Sequence, residues 1–290
     1  MTPPLVLDLD GSLPRPAGGQ TITLRDWEEA IRFGCTRGTW SAFRNKLEQC
    51  LPEIHGTVCM GSGDFHHVTQ LLLARYRTPE PFDVVVLDNH PDNMRFPFGI
   101  HCGSWVSHAA ILPQVRRIHV LGISSGDVGW RHAWENRLMP LLRGKLRYWT
   151  VGVDTSWARR LGLSRGFMPF TNAENLIDRF IAELPSTISG AAYLSIDKDV
   201  FAPHVASTNW DQGTFELEDA HRLINALSGR LIGSDITGEV SVHAYSTPWK
   251  RWLSAIDQQP EIPHDRLSEM QRRQTEVNRR LLEWLAQASL

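Results

Sequence analysis

Short apolar runs alternate with amphipathic stretches along most of the chain, and that alternation predicts the fold. Residues 5–9, 57–60, 84–88, 118–122, 147–151, 192–197 and 231–234 read as strands. Between them, residues 24–33, 68–76, 173–184 and 217–227 place apolar side chains at helical spacing. An unbroken apolar run such as Val84-Val85-Val86-Leu87 belongs to a strand buried on both faces, as in a parallel sheet. Strand and helix alternating on this scale predict an α/β fold, a mostly parallel sheet covered by helices on both sides. No repeat, low-complexity tract or Gly/Ser linker interrupts the pattern, so residues 1–290 read as one domain. Residues 265–290 follow Pro260 and Pro263 and read as one long helix. Its stripe is Leu267, Met270, Val277, Leu281 and Leu285, while Arg272, Arg273, Arg279 and Arg280 carry the other faces. Such a helix either closes the sheet or makes an oligomer contact.

The 84–87 run leads straight into Asp88-Asn89-His90-Pro91-Asp92. In extended chain, residues i, i+2 and i+4 share a face, so Asp88, His90 and Asp92 are expected to point together at the strand's C-terminal end. Open α/β sheets keep their sites at that edge. Ser195-Ile196-Asp197-Lys198-Asp199 repeats the arrangement at the end of another strand. Gly61-Ser62-Gly63-Asp64-Phe65-His66-His67 delivers a histidine pair after a third, and Asp235 with Glu239 leaves a fourth. The carboxylates of Asp88, Asp92, Asp197 and Asp199 could not all stay ionised at close range without compensation. Two divalent cations ~3.5–4 Å apart would supply it and would activate water. Carboxylate and imidazole ligands without thiolate suit Mn²⁺ better than structural zinc. A cationic substrate fits so acidic a pocket, and an anionic phosphoester does not.

Charge narrows the partners. A net charge of −2 with mixed signs offers no footprint for nucleic acid or an anionic membrane. No apolar run approaches the ~18 residues of a membrane span, and the N-terminus lacks a signal-peptide pattern. Cys35, Cys50, Cys59 and Cys102 are widely spaced with no CxxC pair, which reads as reduced thiols in a cytoplasmic protein.

The acidic segments resemble the arginase/agmatinase ureohydrolase superfamily, whose signatures run GGDH, DAHxD, HG, SFDxDxxDP and a late Glu. Here they stand at residues 61–67, 88–92, 101–103, 195–203 and 235–239, in the same order. The resemblance implies a single three-layer α/β/α domain, two Mn²⁺ ions, a guanidino substrate and urea as product. It implies that Asp88 and Asp197 bridge the ions, Asp92 and one of His66 and His67 complete one, and His90 with Asp199 completes the other. Asp92 would also hold the attacking water. His101 resembles a proton-shuttle histidine whose imidazole pKa suits the task. Glu239 would pair with the guanidinium.

Several departures shape the expectation. Phe65 adds a residue before the histidines and leaves the choice between His66 and His67 open. Lys198 replaces an apolar residue and by strand alternation should face away from the metals. Ala202 stands where a third Asp is usual. Gly238 adds a residue before Glu239, so guanidinium binding could pass to Asp235. His101 follows Asp92 by only nine positions. That connection is shorter than in arginases acting on free arginine, and Asn93 is its one polar remnant for substrate contact. The shorter, more apolar rim resembles the peptide-arginase branch, which converts arginine to ornithine within a precursor peptide. The other readings are an agmatinase- or arginase-type enzyme acting on a small molecule, a single-zinc amide hydrolase or deacetylase, and a non-catalytic binding homologue, any of them a possible homo-oligomer.

Gly122-Ile123-Ser124-Ser125-Gly126 also matches the GxSxG elbow of serine hydrolases. That elbow must lead directly into a helix, whereas a helix is expected here only near Trp130. A glycine turn after a central strand explains the pattern. His108, His119, His204, His221 and His243 are read as structural or exposed.

Overall fold

Nine strands pair side by side, every one parallel to its neighbours. They are β1 (Leu5–Asp8), β2 (Gln20–Thr23), β3 (Val58–Cys59), β4 (Phe82–Leu87), β5 (Val115–Ile123), β6 (Leu146–Val151), β7 (Phe167–Phe170), β8 (Ala192–Asp197) and β9 (Leu231–Thr237). Their order is β2-β1-β3-β9-β8-β4-β5-β6-β7. The description is of a computed structural model and covers residues 2–15, 18–256 and 262–289. Pro260 and Leu290 lie outside the described residues.

Alternation along β4 shows why its unbroken apolar run is needed. Val84 and Val86 join one buried layer with Phe43, Leu72 and Trp105. Val85 and Leu87 join the opposite layer with Ile177, Phe180, Leu223 and Leu281. The sheet is therefore covered on both faces, giving the three-layer architecture in one domain. The helices α1 (Arg37–Cys50) and α2 (Thr69–Arg75) lie on the first face. The helices α3 (Ala173–Thr187), α4 (Leu217–Ala226) and, over part of its length, α5 (His264–Ala288) lie on the second. Val277, Leu281 and Leu285 of α5 are buried there, while Arg279 and Arg280 face solvent, as a closing helix requires. Among the described residues, no helix is long and apolar enough to cross a membrane.

Three local expectations need correction. Residues 24–33 form no single helix: Arg25–Trp27 is one short turn and Glu28–Ile31 another, and Phe33 adopts φ 68°. Phe33 N–H donates to the Asp64 carbonyl and its own carbonyl accepts from Cys102, so tertiary bonds outweigh helical spacing there. The helix α1 escaped notice because only Phe43 and Leu47 of it are buried; Thr36 caps it by accepting from Thr39 N–H at 3.3 Å. The edge strand β2 is too exposed to show an apolar run, and in the edge strand β7 Pro169 argues against a strand.

The Gly122–Gly126 segment is no nucleophile elbow. It leads into the short turns Gly126–Val128 and Trp130–His132. Ser124 Oγ donates to Asn89 Oδ1 at 2.6 Å and Ser125 Oγ to Asp127 Oδ2 at 3.1 Å. Gly122 has φ 102°, and a side chain there would meet Val200 Cγ2 at 2.4 Å, so glycine serves packing.

Candidate metal centre

The parallel register sets the first two carboxylates side by side. Ile196 of β8 pairs with Leu87 of β4, so Asp197 and Asp88 sit at neighbouring strand ends. One oxygen of each key carboxylate is taken by backbone. His90 N–H donates to Asp88 Oδ1 at 2.7 Å, Asp199 N–H to Asp197 Oδ1 at 3.1 Å, and Asn89 N–H to Asp199 Oδ1 at 3.0 Å. The second oxygens remain. His66 Nδ1 lies 3.1 Å from Asp88 Oδ2, 3.1 Å from Asp92 Oδ2 and 3.4 Å from Asp197 Oδ2. His90 Nδ1 lies 2.9 Å from Asp199 Oδ2 and 3.6 Å from Asp88 Oδ1.

The convergence is not the i, i+2, i+4 alternation expected of a strand. The strand β4 stops at Leu87, and Asp92 occupies the left-handed region at φ 45°. A tight turn past the strand end folds Asp92 back toward His66. Trp105 Nε1 then donates to Asp92 Oδ2 at 2.6 Å and holds it there. Strain at a non-glycine residue persists only where surrounding contacts over-determine it, commonly at functional sites.

Both histidines are oriented from behind. His66 Nε2 contacts Ser195 Oγ at 2.9 Å; Ser195 donates to Asp235 Oδ1 at 2.7 Å, and Tyr193 OH donates to Asp235 Oδ2 at 2.7 Å. Ser195 therefore accepts from His66 Nε2–H, which leaves the Nδ1 lone pair for a ligand. His90 Nε2 lies 2.8 Å from Asp211 Oδ1, which turns its Nδ1 inward in the same way. Ser195→Ala is expected to weaken Mn²⁺ binding by about 10–100-fold with the fold intact, as loss of such orienting partners does. Titration of Mn²⁺ with circular dichroism as a folding control would check it; an unchanged affinity would mean that His66 needs no support.

Electrostatics point the same way. Burial and the neighbouring Asp199 hold the Asp197 carboxyl well above the usual range. Burial and Asp88 push Asp92 and Asp199 up to about 7. Asp88 goes down: burial opposes ionisation, but the imidazoles of His66 and His90 beside it outweigh it. His66 and His90 are raised well above 6.5 against burial, His66 by Asp88 and Asp92, His90 by Asp199. These acids need cations. His66 Nδ1 and Asp88 Oδ2 are buried with no hydrogen-bond partner. His66, Asp88 and Asp197 form one triad whose ligand atoms lie within 4.8 Å of one another; Asp88, His90 and Asp199 form another. The shared Asp88, with only oxygen and imidazole nitrogen donors, fits a pair of hard divalent ions.

The structure places the other sequence candidates as follows. His67, left open beside His66, packs on Trp40 at 5.1 Å outside both triads, and burial holds it far below 6.5. Asp64 pairs with the buried Arg32 at 2.8 Å. His101 does line the cavity, a space of about 250 Å³ shared with Asp88, His90, Asp92, Asp197 and Asp199. Its pKa is not the ordinary one expected: burial, between the rings of Phe33 and Phe96, lowers it to about 4. Gly103 N–H donates to His101 Nδ1 at 2.9 Å, so the neutral ring carries its proton on Nε2.

Glu239, Asp235 and Asn93, expected as substrate contacts, do not line the cavity. Glu239 is 2% exposed and forms an ion pair with Lys198, and Asn278 of α5 donates to it at 2.6 Å. Breaking a buried pair of this kind costs about 3–5 kcal/mol, so Glu239 is committed to the fold. Lys198 does face away from the metal ligands. Asp235 is occupied by Tyr193 and Ser195. Asn93 turns from the cavity and donates to Tyr148 OH at 2.7 Å and to the Arg137 carbonyl at 2.9 Å. In their place the wall holds Asp127, Glu135 and Asp211, which no motif announced because they come from loops remote in sequence.

No protein-family model matches the chain. An uncharacterized protein of Thermotoga maritima is 26% identical over 195 residues, covering 67% of this chain and 62% of that protein. The chain thus spans less than two thirds of that relative's length. Among solved structures, arginase from Bacillus subtilis superposes with a TM-score of 0.53 at 14% identity, covering 97% of this chain and 98% of that one. Agmatine ureohydrolase of Thermoplasma volcanium gives 0.53 at 14% identity over 99% and 90%. Trypanosoma cruzi formiminoglutamase with Mn²⁺ gives 0.51 at 12% over 92% and 74%. The chain has the ureohydrolase fold. Within that fold, the two triads stand at the C-terminal edge of the central strands β8 and β4, where open α/β sheets place their sites.

Proposed function

We propose that the chain is a manganese-dependent hydrolase that cleaves a guanidinium C–N bond and releases urea. The observation that carries this reading is the pair of ligand triads sharing Asp88. A single-metal hydrolase would leave the second triad without a role. Bound there, two Mn²⁺ ions would supply Lewis acidity and lower the pKa of water.

The chain's own residues divide the remaining work. Asp88 would be shared by the two ions, with His66, Asp92 and Asp197 holding one and His90 and Asp199 the other. Asp92, held by Trp105, orients the attacking water. His101 is neutral at physiological pH with its proton on Nε2, so it donates a hydrogen bond to the departing nitrogen, which takes its proton from the attacking water by way of Asp92. Asp127, Glu135 and Asp211 give the cavity wall a negative lining that suits a guanidinium.

The substrate is an arginine side chain, converted to ornithine, and it is carried on a peptide. The short connection from Asp92 to His101 turns Asn93 inward, where it does not grip a free α-carboxylate. None of the four cysteines is in a disulfide, which accords with a cytoplasmic protein. Urea release from an arginine peptide, free arginine and agmatine, assayed side by side with Mn²⁺, tests the reading. The peptide is expected to give the highest kcat/KM. Absence of urea from all three would refute hydrolysis.

A further inference from the structure

One lip of the cavity is a ribbon built from two loops. Met94 and Asn136 form an antiparallel bridge, Arg95 N–H donates to the Glu135 carbonyl at 2.8 Å, and Arg137 N–H donates to the Asn93 carbonyl at 3.0 Å. Met94, Glu135 and Asn136 line the cavity itself. Just outside it the loops that form the ribbon turn three aromatic rings to water, among the exposed Arg95, Arg131 and Arg137: Phe98 is 73% exposed, Trp134 70% and Trp130 68%. These rings are not loose. Phe98 stands edge-on against Phe96 at 5.8 Å, and Phe96 packs on Trp249 at 6.2 Å. Trp130 leans on Trp157 at 6.3 Å.

A single exposed aromatic residue needs no explanation, but three beside one charged cavity do. The floor and walls are acidic and the lip presents three aromatic rings. A small guanidino compound would fill a space of about 250 Å³ and leave the ledge in water. A polypeptide meets both demands: its cationic side chain enters the acidic cavity while a neighbouring apolar side chain covers the rings. Aromatic anchors at the edge of a pocket are the usual carriers of such binding energy.

We propose that Phe98, Trp130 and Trp134 form the docking surface for a polypeptide substrate and hold an apolar residue adjacent in sequence to the guanidinium-bearing one. This rests on the hydrolase reading of the same cavity, so binding and turnover are measured separately. A fluorescein-labelled peptide with one arginine between leucines, and Nα-acetylarginine amide as the small substrate, are tested on the Mn²⁺-loaded full chain. Trp134→Ala and Phe98→Ser are expected to weaken peptide binding about tenfold while urea release from the small compound is unchanged. Equal peptide affinity in the variants and the parent would overturn the proposal. So would dissociation of an oligomer by Trp134→Ala, which would assign the ledge to a second copy of the chain. Peptide binding that weakens as expected, with no urea from either compound, would uphold docking and remove hydrolysis.

Discussion

Asp88→Asn is expected to lower urea release by at least about 10³-fold and to remove Mn²⁺ from both positions. Its carboxylate belongs to each triad, so its loss takes a ligand from both ions at once. The Lewis acidity that water activation depends on amounts to several kcal/mol, which sets this scale. The replacement is nearly isosteric, and its amide oxygen can still accept from His90 N–H, so the turn after β4 should survive. Elemental analysis of the purified variant and its kcat/KM are the measurements. Retention of two ions with near-normal turnover would remove Asp88 from the centre. A loss limited to 10–100-fold, the range expected for Ser195→Ala, would reduce it to a supporting role.

Metal removal should destabilise the protein, and more so as pH rises. Asp92 and Asp199, raised to about 7, cost the metal-free native state nothing while they are protonated in both folded and unfolded chains. Above the unfolded carboxylate range of about 4 that cost grows, and it is complete once pH passes about 7. His66 and His90 add to the trend. Their raised pKa values stabilise the native state fully below about 6.5, and that contribution fades as pH climbs through their folded values. Bound Mn²⁺ replaces the protons and cancels both effects. The Tm gap between Mn²⁺-loaded and chelator-stripped protein should therefore be several degrees wider near about pH 8 than near about pH 5.5. A gap that is constant or narrows with pH would mean that these groups do not form a repelling acidic centre.

Much of the architecture can be read from local pattern because burial on both faces leaves its mark on each central strand. Val84–Leu87 of β4 is unbroken and β8 is interrupted before its terminal aspartate only by Ser195, since side chains on both faces meet a helix layer. The edge strand β2 and the sparsely buried α1 carry no such mark, and Pro169 obscures it in the edge strand β7. The site was legible wherever a ligand ends a buried strand, as Asp88 and Asp197 do. It was less so where a turn decides direction. His66 and His67 are chemically identical neighbours, and only the turn Gly63–Val68 sends one to the acids and the other under Trp40. Glu239 resembles a substrate ligand until Lys198 and Asn278 are seen to claim it.

The amino-acid sequence by itself determined the parallel layered sheet and the gathering of aspartates and histidines at its C-terminal edge. Strand burial and ligand chemistry are both written in nearest-neighbour order. Tertiary structure alone decided which histidine faces the acids, which partners Glu239, Asp235 and Asn93 bond, and that Asp127, Glu135 and Asp211 complete the wall. Those outcomes depend on contacts between segments far apart in the chain, and no spacing of residues encodes which buried partner a side chain will find.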